Sequence, residues 1–159
     1  MVHRIEYKQF LPVDVETCWE FISTPLNLQK ITPEYMRFQI FNAESLGAMY
    51  PGLMIRYRVR PVLGIPLHWC TEITHVERGV YFVDEQRSGP YRLWHHEHHV
   101  KEADGGVLMT DIVHYALPLG FIGEWAHRLF VRKQLESIFE YRKERLEVLF
   151  PKNSATKVV

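Results

Sequence analysis

From His3 to Leu11 apolar and polar residues alternate, Ile5 and Tyr7 against Arg4, Glu6 and Lys8, the period-two mark of a strand with one buried face. The alternation stops at Pro12. Asp14 then stands where a helix cap is wanted, and Val15, Cys18, Trp19 and Ile22 recur at helical spacing until Ser23, Thr24 and Pro25 end the run. A second short helical turn is predicted over Leu26 to Ile31, closed by Thr32 and Pro33. Beyond it the helical period vanishes, and strands are predicted at Met36 to Ala43, Ile55 to Arg60, Leu67 to Glu77, Val80 to Arg87, Tyr91 to Ala103 and Val107 to Leu117. The turn pairs Pro51-Gly52, Arg78-Gly79, Gly89-Pro90 and Gly105-Gly106 separate them, and connections this short make an antiparallel meander.

From Leu119 the 3.6-residue period returns. Ile122, Trp125, Leu129, Ile138, Arg142, Leu146 and Leu149 form a stripe that predicts one long amphipathic helix from about Leu119 to Phe150, its first turns loosened by Gly120 and Gly123. Residues 152–159 carry no periodicity and are expected to be a mobile tail. Strand, two short helices, about six strands and one long helix fit neither a βαβ alternation nor an all-β fold. The chain therefore reads as one α+β domain over residues 1–151, with an antiparallel sheet of about seven strands.

Composition narrows the function. Among 159 residues, 19 Lys and Arg balance 19 Asp and Glu, so there is no overall positive field to gather nucleic acid or anionic lipid. The apolar stretch from Ile112 to Gly123 is interrupted by Pro118 and is too short to span a bilayer. The first residues contain no apolar signal core, which leads to the expectation of a cytoplasmic protein. Cys18 and Cys70 fall in a helix and a strand with no CxxC spacing and read as reduced packing residues. Gly-x-Ser-x-Gly, Gly-x-Gly-x-x-Gly and Walker patterns are all missing, so no cofactor is expected, and no protein partner is evident.

The segments Phe82-Val83-Asp84-Glu85-Gln86, Gly89-Pro90-Tyr91, Trp94-x-His96-x-His98, Met109-x-Asp111-x-Val113-x-Tyr115 and Pro118-Leu119-Gly120, in this order of elements, resemble the START and Bet v 1-like (SRPBCC, polyketide cyclase/dehydrase) superfamily. The likeness covers roughly residues 3 to 150 and is to a bacterial branch described as ligand-binding. It implies a helix-grip fold, a curved sheet around the C-terminal helix with a cavity between them. No single reaction follows, because the superfamily includes lipid carriers, receptors, quinone-binding proteins and cyclases.

Parity assigns residues to that cavity. A two-residue loop at Asp104-Gly105 or Gly105-Gly106 puts even positions of the strand before it on the same side as odd positions of the strand after it. One face then carries Trp94, His96, His98 and Val100 with Met109, Asp111, Val113 and Tyr115, and its large apolar groups point it inward. The run His95-His96-Glu97-His98-His99 is thereby divided, with His95, Glu97 and His99 on the solvent side. His98 meets Asp111 directly or diagonally. For the hairpin at Arg78-Gly79 the two faces are nearly equally apolar; the set Trp69, Thr71, Ile73, His75, Phe82, Asp84 and Gln86 is favoured as the inner one. Arg56, Arg58 and Arg60 read as a solvated face.

The candidate ligand-binding residues are therefore Trp69, Thr71, Asp84, Gln86, Trp94, His96, His98, Met109, Asp111 and Tyr115. They point to a binding or carrier module for a small hydrophobic molecule such as a polyketide, isoprenoid or lipid. The alternative is a cyclase/dehydrase-like enzyme in which His98 and Asp111 move a proton. A metal held by His96, His98 and Asp111 is chemically possible, but H-x-H on a strand is a weak signal and no metal is assigned.

Overall fold

The computed structural model describes residues 1–61 and 64–152, so the expected tail lies, apart from Lys152, outside the described residues. Strand β1 (His3–Leu11) leads into helix α1 (Val15–Ile22), whose first turn is closed by Asp14: its carboxylate accepts from Thr17 N at 2.8 Å. The second helical turn is a 3-10 helix, Pro25–Ile31. Six further strands follow: β2 (Gln39–Ile40), β3 (Met54–Val59), β4 (Leu67–Glu77), β5 (Tyr81–Ser88), β6 (Leu93–Ala103) and β7 (Gly106–Ala116). All neighbours are antiparallel, in the order β1-β7-β6-β5-β4-β3-β2. The expected strand at Met36 to Ala43 shrinks to the two residues of β2, because 3-10 turns at Glu34–Met36 and Ala43–Ser45 claim its ends and Arg37 takes a left-handed conformation.

The C-terminal helix runs as α2 (Gly120–Ala126), a π-turn (His127–Val131) and α3 (Arg132–Leu149). Its buried face differs from the expected stripe. Gly123, His127, Leu135, Phe139, Arg142 and Leu146 are buried, whereas Trp125 is 68% and Ile122 53% exposed. Steps of four residues drift about 40° each around an α-helix, and the wider π-turn takes up that drift, which a fixed 3.6 period misses. Packing at the helix start is tight. A Cβ on Gly123 would sit 2.1 Å from the Pro118 carbonyl oxygen and 3.1 Å from Leu117 Cβ. Gly123→Ala is therefore expected to lower stability by about 1–3 kcal/mol despite the better helix propensity of alanine, measurable as a fall in melting temperature.

The sheet's inner face supplies most of the core. Leu11, Ile55, Ile73, Phe82, Val100, Val107 and Met109 pack with Cys18, Trp19 and Ile22 of α1 and with Leu146. Val113 and Tyr115 meet Leu135 and Phe139 in a second cluster. Among the described residues no helix is long and apolar enough to cross a membrane.

Candidate functional site

The β6–β7 turn is Asp104-Gly105, with Gly105 at φ 75° and Ala103 opposite Gly106, so His98 stands directly across from Asp111. On the other side β5 pairs Asp84 with His96 and Phe82 with His98. Two carboxylates thus flank two imidazoles on the inner face. His96 Nε2 lies 3.1 Å from Asp111 Oδ1 and its Nδ1 3.3 Å from Asp84 Oδ2. His98 Nε2 lies 2.8 Å from Asp84 Oδ2, and its Nδ1 comes within 2.8 Å of Asp111 Oδ1 at an angle too oblique for a hydrogen bond. Arg142 reaches in from α3, its Nη1 3.5 Å from Asp111 Oδ1. The rings of His96 and His98 stand 3.7 Å apart, and Phe82 stacks on His98 at 4.1 Å.

Burial opposes charge on Asp84, Asp111 and His96, and the opposite charges around them overcome it. Burial raises the Asp84 carboxyl, but the charge of His96 and hydrogen bonds from both histidines take it well below the usual carboxylate range. Asp111 is likewise raised by burial and more strongly lowered by Arg142 and the two histidines. Burial lowers His96, while the charge of Asp84 and hydrogen bonds to both carboxylates carry it above its ordinary value. Two carboxylates thus stand against one guanidinium and two imidazoles, an opposition of charge that makes such a group tolerable inside a fold.

These residues face a space of about 290 Å³ between the sheet and the C-terminal helix. Six of the ten candidates line it: Trp69, Thr71, Asp84, Trp94, His96 and His98. Asp111 lies behind the two histidines. Met109 packs in the main core. Gln86 donates from Nε2 to the Tyr91 carbonyl at 2.6 Å and accepts from Tyr91 N at 3.2 Å, so it braces the loop before β6. Tyr115 turns to His127, its hydroxyl 2.9 Å from Nε2. The favoured face of β4 needs one correction: a bulge between Ile73 and His75 sends His75 outward, and Val76, opposite Phe82, takes the inner place.

Further wall residues are Tyr57, on the face of β3 opposite the arginines, and Tyr91, which precedes β6. Tyr57 bonds Thr71 through their hydroxyls at 3.1 Å and stacks on Trp69 at 5.8 Å. Trp69 meets Trp94 edge-on at 5.3 Å, and Tyr91 leans on Trp94 at 4.9 Å. Arg142 had a visible signal, being the one charged residue in register with Ile138, Leu146 and Leu149. Among the described residues, three buried nitrogens of the lining have no hydrogen-bond partner: Trp69 Nε1, His98 Nδ1 and Arg142 Nε. Asp84, His96 and His98 also bring donor atoms close enough together to hold a metal ion.

A seven-stranded antiparallel sheet gripping a long C-terminal helix is the Bet v 1-like helix-grip fold. No family model and no curated protein matches the chain. Solved structures do. Protein CV1439 from Chromobacterium violaceum is 10% identical with a TM-score of 0.71, over 94% of this chain and 99% of its own. Major latex-like protein 151 from Panax ginseng is 9% identical with a TM-score of 0.66, over 96% and 99%. Protein Ms6760 from Mycobacterium smegmatis is 15% identical with a TM-score of 0.64, over 92% of each chain. At such identities the likeness is one of fold.

Proposed function

We propose that residues 1–151 form a single unit that binds a small, mainly hydrophobic molecule between sheet and helix and carries it in the cytoplasm. The observation that carries this reading is the pair of unpartnered donors, Trp69 Nε1 and Arg142 Nε, buried in an otherwise apolar and aromatic wall. A buried donor without a partner costs roughly 1–3 kcal/mol, and ligand oxygens that accept from these donors would recover it. The ligand is then a molecule with an apolar or aromatic body and acceptor oxygens, as in a polyketide, an isoprenoid quinone or a fatty acyl compound.

Native mass spectrometry of gently purified protein, followed by extraction, tests it. The expected result is one co-purifying apolar compound that is lost when Trp69 and Arg142 are replaced by Phe and Met. An apolar naphthalene fluorophore should also bind with one-to-one stoichiometry and quench the tryptophans. Absence of both signals would overturn the reading.

The second reading is a cyclase/dehydrase-like enzyme, favoured by the placement of His98 on the cavity wall between two carboxylates. An imidazole so held is a competent proton carrier. His98→Ala separates the two: a carrier loses affinity by roughly tenfold, whereas an enzyme keeps its affinity and loses about two to four orders of magnitude in turnover of the extracted compound.

A further inference from the structure

Away from the cavity a second group of chemically able side chains converges. His3 of β1, Glu124 of α2 and His127, the first residue of the π-turn, come together from opposite ends of the chain, with one donor atom of each within 4.8 Å of the others. We propose that this His-Glu-His cluster is a binding site for a divalent transition-metal ion of the zinc type, with one coordination position left to water.

The donor set suits such an ion. Two imidazoles and a carboxylate are a recurrent three-ligand set for Zn²⁺, and a fourth, open position completes a tetrahedron. Glu124 and His127 are three residues apart, so the helix presents both on one side. His3 answers from the sheet, its Nε2 3.1 Å and 3.3 Å from the two oxygens of Glu124. The side chains of His3 and Glu124 are only 16% and 24% exposed, so water reaches the cluster without dissolving it.

His127 is held in the way a metal ligand is held. Its Nε2 is 2.9 Å from the Tyr115 hydroxyl, which fixes the ring. The π-turn that begins at this residue departs from regular helix exactly where the cluster forms, and such turns concentrate at functional sites. In the structure the two rings stack at 3.6 Å and 12°, so coordination requires each to turn about its own side-chain bonds until the nitrogens converge. The amino group of Met1, 3.1 Å from Glu124 Oε1, competes for the same carboxylate.

The test is a titration of the chelator-treated full chain with Zn²⁺, and with Co²⁺ as a spectroscopic probe. One equivalent should bind, raise the melting temperature and give the intense visible bands of a four-coordinate cobalt centre. Glu124→Gln and His127→Gln should each weaken Zn²⁺ by at least about tenfold, and Tyr115→Phe by a similar factor through the loosened ring. Glu124 is partly exposed, so its variant keeps the experiment decisive if the others fold poorly. His98→Ala should bind Zn²⁺ as the parent does, and so should a chain with two residues added before Met1. Loss of binding in His98→Ala would move the ion to the cavity group, loss on extension would assign it to the terminal amine and His3, and unchanged affinity in Glu124→Gln and His127→Gln would remove the cluster. Each of these outcomes overturns the proposal, as does a failure to bind either ion.

Discussion

Asp111→Ala is expected to destabilise the protein by about 3–5 kcal/mol, the usual cost of removing one partner from a buried ionic group. Asp111 is 3% exposed and lies within 3.5 Å of Arg142, His96 and His98. Without it the Arg142 guanidinium stays buried beside two imidazoles with Asp84 as the remaining anion of the group. For a chain of this length each kcal/mol moves the melting temperature by about 2–4 °C, so thermal and urea unfolding should both register the loss clearly. A surface pair such as Arg132–Glu136 supplies the contrast: Glu136→Ala should change stability by under about 1 kcal/mol. A loss below about 1 kcal/mol for Asp111→Ala would mean that the guanidinium escapes to solvent and that the group is not a unit.

Stability should depend on pH on both sides of a maximum. His96 has a folded proton affinity above its free value, so its contribution is complete below about pH 6.5 and is lost as the pH rises through the folded value. Asp84 and Asp111 are depressed, so their contribution is complete above about pH 4 and is lost as the pH falls through their folded values. His127 is lowered and acts against stability as the pH drops below about 6.5, which narrows the plateau on its acid side. Melting temperature should therefore peak near pH 6 and decline in both directions. His96→Gln, which cannot titrate, should flatten the alkaline decline and soften the acid one, because the charge and hydrogen bonds of His96 help to depress Asp84 and Asp111. An alkaline limb equally steep in that variant would show that some other group controls it.

Ligand affinity should follow the same group. Because the imidazolium of His96 and the guanidinium of Arg142 together stand against two carboxylates, deprotonation of His96 as the pH rises makes the cavity wall more anionic. A ligand with an anionic acceptor end should then bind more weakly at pH 9 than at pH 6, and a neutral ketone or quinone should show little change. Fluorescence titration of one compound of each kind, across that range, reads the difference and so narrows the chemistry of the acceptor end.

The single chain of letters determined which segments are strands and which are helices, and which side of β6 and β7 faces inward, because these depend on local geometry. Side chains alternate across a strand and recur every 3.6 residues around a helix whatever lies beyond them. A two-residue turn fixes the pairing of the hairpin it closes, so His98 opposite Asp111 was within reach of the letters. Only the tertiary structure decided what depends on contacts far apart in the chain. The register of β5 against β6 brings Asp84 to His96, and the bulge in β4 exchanges His75 for Val76. The π-turn rephases the C-terminal helix, burying His127 and turning Trp125 to solvent while α3 delivers Arg142 to Asp111. No local period encodes these placements, since each is set by the free energy of packing one element against another, and packing tolerates a one-residue shift when it buries the better face.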